Sequence, residues 1–269
     1  DGLLVKGSYT RNDTAEWCHI LVEDRIQRLT LQLARKAVKA REKWALAAFL
    51  PAWQGVGRET VAPVEGLYDV VKQFRGLYLP VTWWEDFIFP ARIKGYRKGY
   101  LDQLCSSGRI VWRIQSKGST PKLAWYTADD LAMPDEESAC TMDGASQAVY
   151  DELNDHEKKV LSALERRGAC FLHLLAAMTR LTNEELLEAL ESLVWKGMVV
   201  NDSFECIRYF SIENTGNVKS RARRRAMAYK MDMGRWEIAS PVQSFSLEDQ
   251  LAIWLERYGL IAKEMIQWE

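Results

Sequence analysis

The chain has 269 residues, 48% hydrophobic and 27% charged, with 36 Lys and Arg against 37 Asp and Glu and a net charge of −1. That length holds two or three small domains with ordinary cores, and the composition excludes wholesale disorder. No run approaches eighteen uncharged apolar residues, and Asp1 to Lys6 lacks both the charged flank and the small-residue cleavage site of a signal peptide. The expectation is a cytoplasmic protein with no membrane partner.

Residues 1–60 read as a helical N-terminal segment. From Thr14 to Leu50, Ile20, Leu21, Ile26, Leu29, Leu33 and Ala37 keep a helical spacing with no Gly or Pro between them, which predicts one or two helices. Pro51 is expected to end the run or begin a turn, and Trp53-Gln54-Gly55-Val56-Gly57 to connect it to Pro63.

The next part repeats. Leu101, Leu104, Gly108, Ile110 and Val111 return as Leu190, Leu193, Gly197, Val199 and Val200, 89 residues later. Leu164 to Gly168 returns as Leu255 to Gly259 after 91. A period near ninety is that of small tandem domains, and a helix ending in glycine before a short apolar strand is how a recognition helix enters a wing. The fold class expected is therefore α+β, mostly helical, built of tandem winged-helix modules (helix-turn-helix plus β-wing).

In the first module, 61–128, helices are expected over Gly66–Phe74, Trp83–Phe89 and Tyr100–Ser106. Strands over Arg109–Ile114 and Leu123–Thr127 flank the turn Ser116-Lys117-Gly118-Ser119. Residues 129–150, acidic and containing Pro134, read as a linker. In the second module, 151–240, Asn154 or Asp155 caps a helix over Glu157–Arg167, Phe171–Thr179 forms the second helix, and Thr182 with Glu185 makes a capping box for the third. Met198–Val200 and Cys206–Phe210 are expected as strands around Asn201-Asp202-Ser203. Residues 241–269 hold the first helix and the start of the second of a third copy, too little to bury its own apolar face, so the chain reads as a fragment.

Charge is strongly segregated. Arg25 to Lys43 holds seven basic residues and one acid, Arg92 to Lys122 eight and one, and Ser211 to Arg235 seven and two, whereas Asp129 to Glu157 holds ten acids and neither Lys nor Arg. Local fields steer a polyanion more than the total does. Arg92, Lys94, Arg97 and Lys98 lead into the third helix of module 1, and Lys117 and Lys122 border its wing. Lys219, Arg221, Arg223, Arg224 and Arg225 form a basic loop within 211–235. These eleven side chains are the candidate DNA contacts, binding phosphate without sequence choice. A solvated charged face is the plain alternative for each run. The third helix of module 2 carries Glu184, Glu185, Glu188 and Glu191, which repel phosphate, so that module is expected to pack against protein by this helix. Of the eleven Trp, Trp53, Trp83, Trp84 and Trp112 are candidates to stack on unpaired bases, with core packing favoured.

Candidates for chemistry are lacking. Cys18, Cys105, Cys140, Cys170 and Cys206 include no C-x-x-C pair and the three His are scattered, which argues against disulfides and zinc. There is no phosphate-binding Gly-x-x-x-x-Gly-Lys loop, no Gly-x-Ser-x-Gly and no His-Glu-x-x-His. Asp135-Glu136-Glu137-Ser138 follows Met133-Pro134 and not a buried strand, so it is linker and not a helicase acidic box. No catalytic, cofactor or metal residue is assigned.

A further set of segments resembles the C-terminal region of the large helicase-related (Lhr) family of bacterial ATP-dependent DNA helicases. These are Glu16-Trp17-Cys18, Arg25-Ile26-x-Arg28-Leu29-Thr30, Phe49-Leu50-x-x-Trp53-Gln54-Gly55-Val56, Gly66-Leu67 to Gly76, and Trp84-Glu85 through Pro90-Ala91-Arg92 to Tyr96. Leu101-Asp102-x-Leu104-Cys105-x-Ser107-Gly108, Asp202-Ser203-Phe204 and Gly234-Arg235-Trp236 complete them. The resemblance implies a DNA-repair helicase whose motor domains, with their ATP and magnesium, lie outside this chain and are its partners in the parent protein. The same family region is similar to the tandem winged-helix scaffold of AlkZ-type DNA glycosylases. Their Gln-apolar-Gln or Gln-apolar-Asp motif does not occur here, so no catalytic residue is carried over. The expectation is a DNA-binding accessory region, not itself an enzyme, acting on single-stranded or forked DNA. Base excision and a homo-oligomerisation platform are the alternatives.

Overall fold

The computed structural model describes residues 3–9, 15–57, 61–115, 121–131, 152–211 and 234–267. The chain divides into two compact units, residues 1–49 and 50–269. In the first, β1 (Leu4–Gly7) and β2 (Glu16–His19) pair antiparallel, Leu4 opposite His19 and Gly7 opposite Glu16. Then α1 (Ile20–Ala37) begins, capped by His19, whose Nδ1 accepts the Leu21 amide at 3.2 Å. The helical run expected from Thr14 thus starts later. Glu16–His19 is drawn into a ladder by a strand twelve residues upstream, which helical periodicity does not report. A second helix, α2 (Lys43–Trp53), includes Pro51, expected to end it. Proline there removes the bond to the carbonyl four residues back, and the helix ends two residues beyond it.

In the second unit, module 1 opens with α3 (Pro63–Gln73). Proline sits at its first turn, where the missing N–H is not needed, and Leu67, Val70 and Val71 make its buried face. The short strand β3 (Leu79–Pro80) follows. Next come α4 (Val81–Trp83), a π-helical segment (Trp84–Ile88) and α5 (Phe89–Arg92) without a break. After α6 (Lys98–Ser106) come β4 (Ile110–Gln115) and β5 (Lys122–Thr127), in an antiparallel sheet of order β3-β5-β4. Trp84 and Phe89 from the second helical stretch meet Trp125 of β5 at ring distances of 6.4 and 6.1 Å, and the Trp84 indole donates to the Leu123 carbonyl at 2.9 Å.

Module 2 repeats this plan with α7 (Asp155–Arg167), β6 (Cys170–Phe171), α8 (Leu172–Thr179), α9 (Asn183–Trp195), β7 (Val199–Asn201) and β8 (Arg235–Ile238), in the order β6-β8-β7. Asn154 caps α7 in a box with Glu157, and Thr182 caps α9 in a box with Glu185. The repeated glycines explain themselves. Gly108 and Gly197 have φ of 70° and 74°. At each helix end the glycine amide bonds back three residues and the next amide five: Arg109 to Leu104 at 3.2 Å, Met198 to Leu193 at 3.0 Å. This paired closure turns the chain straight into β4 and β7, and only glycine adopts it without strain.

One expected strand is corrected. Cys206–Phe210 is a helix, α10 (Glu205–Phe210), burying Cys206, Ile207, Tyr209 and Phe210. A short apolar run fits either state, and the ladder partner of β7 is β8, over thirty residues on, with Trp236 opposite Asn201. The basic run Lys219 to Arg225 therefore lies in sequence between the two wing strands, not after the wing. The first residues of the stretch expected as a linker are structured. Ala128–Asp130 forms a 3-10 turn in which the Asp130 carboxylate accepts the Thr127 amide at 2.7 Å and hydroxyl at 2.8 Å, and Leu131 bridges to Val242.

Beyond the second wing, α11 (Leu247–Tyr258) and α12 (Lys263–Ile266) occupy the place of the third copy. Ser246 and Gly259 close the two ends of α11. It docks on module 1: the buried Arg257 guanidinium donates to the Arg75 carbonyl at 2.6 Å, the Gln54 amide to the Arg257 carbonyl at 2.6 Å and the Trp53 indole to the Glu256 carbonyl at 3.0 Å. Leu247, Leu255 and Ile266 stay exposed.

Candidate nucleic-acid interface

The basic side chains of module 1 gather where the chain enters its third helix. Gly95, with φ of 72°, turns the backbone after α5, and Arg97 takes the extended conformation that precedes the first turn of α6. Lys94, Arg97 and Lys98 are exposed there, beside amides that have no partner inside the helix, so side-chain charge and backbone dipole both favour an anion. Lys98 lies 3.8 Å from Glu85 with most of its length in solvent. Lys122 opens β5, exposed, opposite Gln115 of β4 and Pro80 of β3. Lys117, Lys219, Arg221, Arg223, Arg224 and Arg225 lie outside the described residues.

Arg92 corrects the expectation. Its guanidinium stacks 4.5 Å over the Phe74 ring, donates to Gln54 Oε1 at 2.9 Å and to the Ile88 carbonyl, and burial lowers its pKa. It fastens the Trp53-Gln54-Gly55 connector to module 1 rather than facing solvent, because the aromatic platform and the glutamine oxygen match its planar fork. Trp84 and Trp112 are core residues, whereas Trp53 and Trp83 keep nearly half their surface exposed.

What periodicity could not reveal is an ionic contact that joins the two modules. Arg208 of α10 donates through Nε and Nη2 to both Glu85 oxygens at 2.8 Å and through Nη1 to Asp102 at 2.8 and 3.0 Å. Glu85 also accepts the Tyr96 hydroxyl at 2.8 Å. Burial raises the pKa of Asp102 against the pull of Arg208, and burial followed by Glu85 raises that of Tyr96. Burial works against the Arg208 charge, yet the two carboxylates hold its pKa above the ordinary value. Next to the clamp, Trp125 and Phe204 meet at 5.0 Å, so one core runs through both modules. The only sequence signal was a lone cation in the apolar run Cys206 to Phe210.

Module 2 presents a different face. On α9, Glu184 and Glu188 are exposed and Glu191 partly so, while Glu185 is taken by its capping box. The base of this helix is tied to α7 by Lys196, which contacts both Glu157 oxygens at 2.8 Å. Burial pushes the Glu157 pKa up, but the hydrogen bonds from Lys196, Ser192 and the Asn154 backbone outweigh it and hold it below the usual carboxylate range. Among the described residues no group of three or more His, Cys, Asp or Glu is placed to hold a metal ion, and no helix is long and apolar enough to cross a membrane.

Comparison with known proteins matches this architecture. The family model of the winged-helix domain of large helicase-related protein fits residues 42–128, which include α2 and all of module 1. A Mycolicibacterium smegmatis protein named Lhr helicase/probable uracil glycosylase is 29% identical over 213 residues, covering 77% of this chain and 14% of that protein. The Escherichia coli Lhr helicase/uracil glycosylase is 26% identical over 292 residues, covering 93% of this chain and 18% of its own length. The chain thus spans less than a fifth of the curated relatives it matches. Two modules of one topology, the motifs between them and these matches together make the chain similar to the winged-helix region of large helicase-related (Lhr) proteins.

Proposed function

We propose that this chain is a DNA-binding scaffold region of an Lhr-type DNA helicase acting in DNA repair, holding the phosphate backbone of single-stranded or forked DNA while motor domains elsewhere in the parent chain use ATP and magnesium. The observation that carries the reading is the exposed basic group Lys94, Arg97 and Lys98 at the entrance to α6, on a module whose family model is that of a helicase-related winged helix. Lys122 on the wing extends it, and Lys117 with the Lys219 to Arg225 run would add to it. Such contacts give affinity without sequence choice, and each one made to duplex DNA adds about 0.9 to the slope of log affinity against log salt. Reversing Arg223, Arg224 and Arg225 to Glu is expected to weaken binding of a forked oligonucleotide in a gel-shift titration; unchanged affinity would remove that loop from the interface.

A second reading is base excision, favoured by the uracil glycosylase named in both relatives. Release of uracil from DNA by this chain alone would support it.

A further inference from the structure

The acidic face of α9 bars module 2 from using its third helix as module 1 does, yet its first helix carries the opposite charge. A cleft of about 550 Å³ runs between α7 and α8, lined by Lys158, Lys159, Ser162 and Arg166 of α7 and Thr179 of α8, with Asp155 at one end. Positions 158, 162 and 166 recur every four residues, so they form one row along the helix, about 12 Å from first to last at 1.5 Å per residue. Lys159 and Arg166 are exposed, and Lys158 and Ser162 partly so. Three cations line the cleft against the Asp155 carboxylate, and the Glu185 carboxylate of α9 lies within electrostatic reach of Lys159, so the cleft keeps a net positive charge. In module 1 the first helix, α3, carries Glu65 and Asp69 against Lys72, with Glu65 paired to Arg109 at 2.7 Å. The exposed cations thus stand just before and at the start of the third helix in module 1 and on the first helix in module 2.

We infer that the α7–α8 cleft is a second nucleic-acid backbone site, in which Lys158 and Lys159 contact phosphates of a strand at one end, Arg166 contacts a phosphate farther along it, and the Ser162 hydroxyl lies between them. It rests on the DNA-binding reading and assigns to module 2 the face that reading left without one. A row of about 12 Å matches some three to four phosphate steps of a strand, at about 3.4 Å of axis each. Arginine and lysine separated by a small hydroxyl residue form a surface that admits a continuous polyanion. An acidic protein segment is the rival occupant.

The test is a fluorescence-anisotropy titration of a labelled single-stranded oligonucleotide with the whole chain at two salt concentrations. It compares the unchanged chain with Lys158→Glu/Lys159→Glu/Arg166→Glu and with the charge-preserving Lys158→Arg/Lys159→Arg/Arg166→Lys. The reversed variant is expected to bind on the order of tenfold or more weakly at the lower salt and to lose about two from its salt slope, at about 0.7 per single-strand contact. The charge-preserving variant is expected to bind like the unchanged chain, and all three to share one circular dichroism spectrum and melting temperature. Equal affinity and slope in the reversed variant would overturn the cleft and leave the DNA-binding reading standing. Equal losses in both variants would overturn it too, since charge would then not be what acts. No binding by the unchanged chain would overturn both readings.

Discussion

Modules 1 and 2 share a topology down to the two-residue strand between their first and second helices, but they differ in what fills the wing and where the charge lies. Module 1 joins β4 to β5 across 116–121, whereas module 2 places α10 and the basic run between β7 and β8. In module 1 the cations stand at the start of the third helix; in module 2 that helix is acidic and the first is basic. The helix-turn-helix framework is set by glycine closures and apolar spacing, which both copies keep. Surface charge is free to diverge, and the wing of module 2 has become the element that holds the pair together through Arg208.

The largest effect is expected at that clamp. Arg208→Ala would leave Asp102 without its counter-charge and Glu85 with only the largely exposed Lys98, at a cost of about 3–5 kcal/mol. Urea denaturation is expected to show the drop, and the single transition to separate into two as the modules uncouple. A loss under 1 kcal/mol would show that the apolar core shared by the modules, and not the Arg208 clamp, holds them together.

The matching glycines offer a direct comparison. Gly108 has nothing within 4 Å of an added Cβ, so Gly108→Ala meets only the left-handed backbone, about 1–2 kcal/mol. At Gly197 the same atom would stand 2.8 Å from the Ile114 carbonyl oxygen of module 1, so Gly197→Ala is expected to cost about 1–2 kcal/mol more, on the scale of overpacking. Equal melting temperatures for the two variants would contradict that close approach.

Glu157 sharpens the contrast by pH. Its folded pKa lies below its unfolded value, so the stability it contributes is complete above the ordinary carboxylate pKa of about 4.3 and fades as pH falls through the folded value. Glu157→Gln is expected to be less stable than the unchanged chain at neutral pH, with the gap closing in acid; a gap independent of pH would exclude the ion pair with Lys196 as its source. The smallest effect is at a cap: Thr182→Ala is expected to cost about 1 kcal/mol by thermal melting.

Much of this was legible in local pattern. The caps at Asn154 and Thr182, the apolar spacing of α3, α6, α7 and α9 and the glycine closures each lie within one helical turn, so a single sequence displays them. The strands β3 and β6 were not legible, because two residues carry no periodicity and exist only through pairing with β5 and β8. Cys206–Phe210 was misassigned for want of its partner strand, and Arg92 because a cation's sequence neighbours do not show the Phe74 ring beneath it. The cleft of module 2 escaped notice since Lys158, Lys159 and Arg166 are interspersed with acids along the chain and are gathered beside α8 only once the helix forms.

The central claim is that tandem winged-helix modules here hold a nucleic-acid backbone. The most direct test is the affinity of the chain for forked, single-stranded and duplex oligonucleotides at low and moderate salt, alongside Lys94→Glu/Arg97→Glu/Lys98→Glu. The account predicts binding that falls steeply with salt and, in the variant, a slope on duplex smaller by about two to three at about 0.9 per contact. Binding indifferent to salt, or a variant with the slope of the unchanged chain, would contradict it.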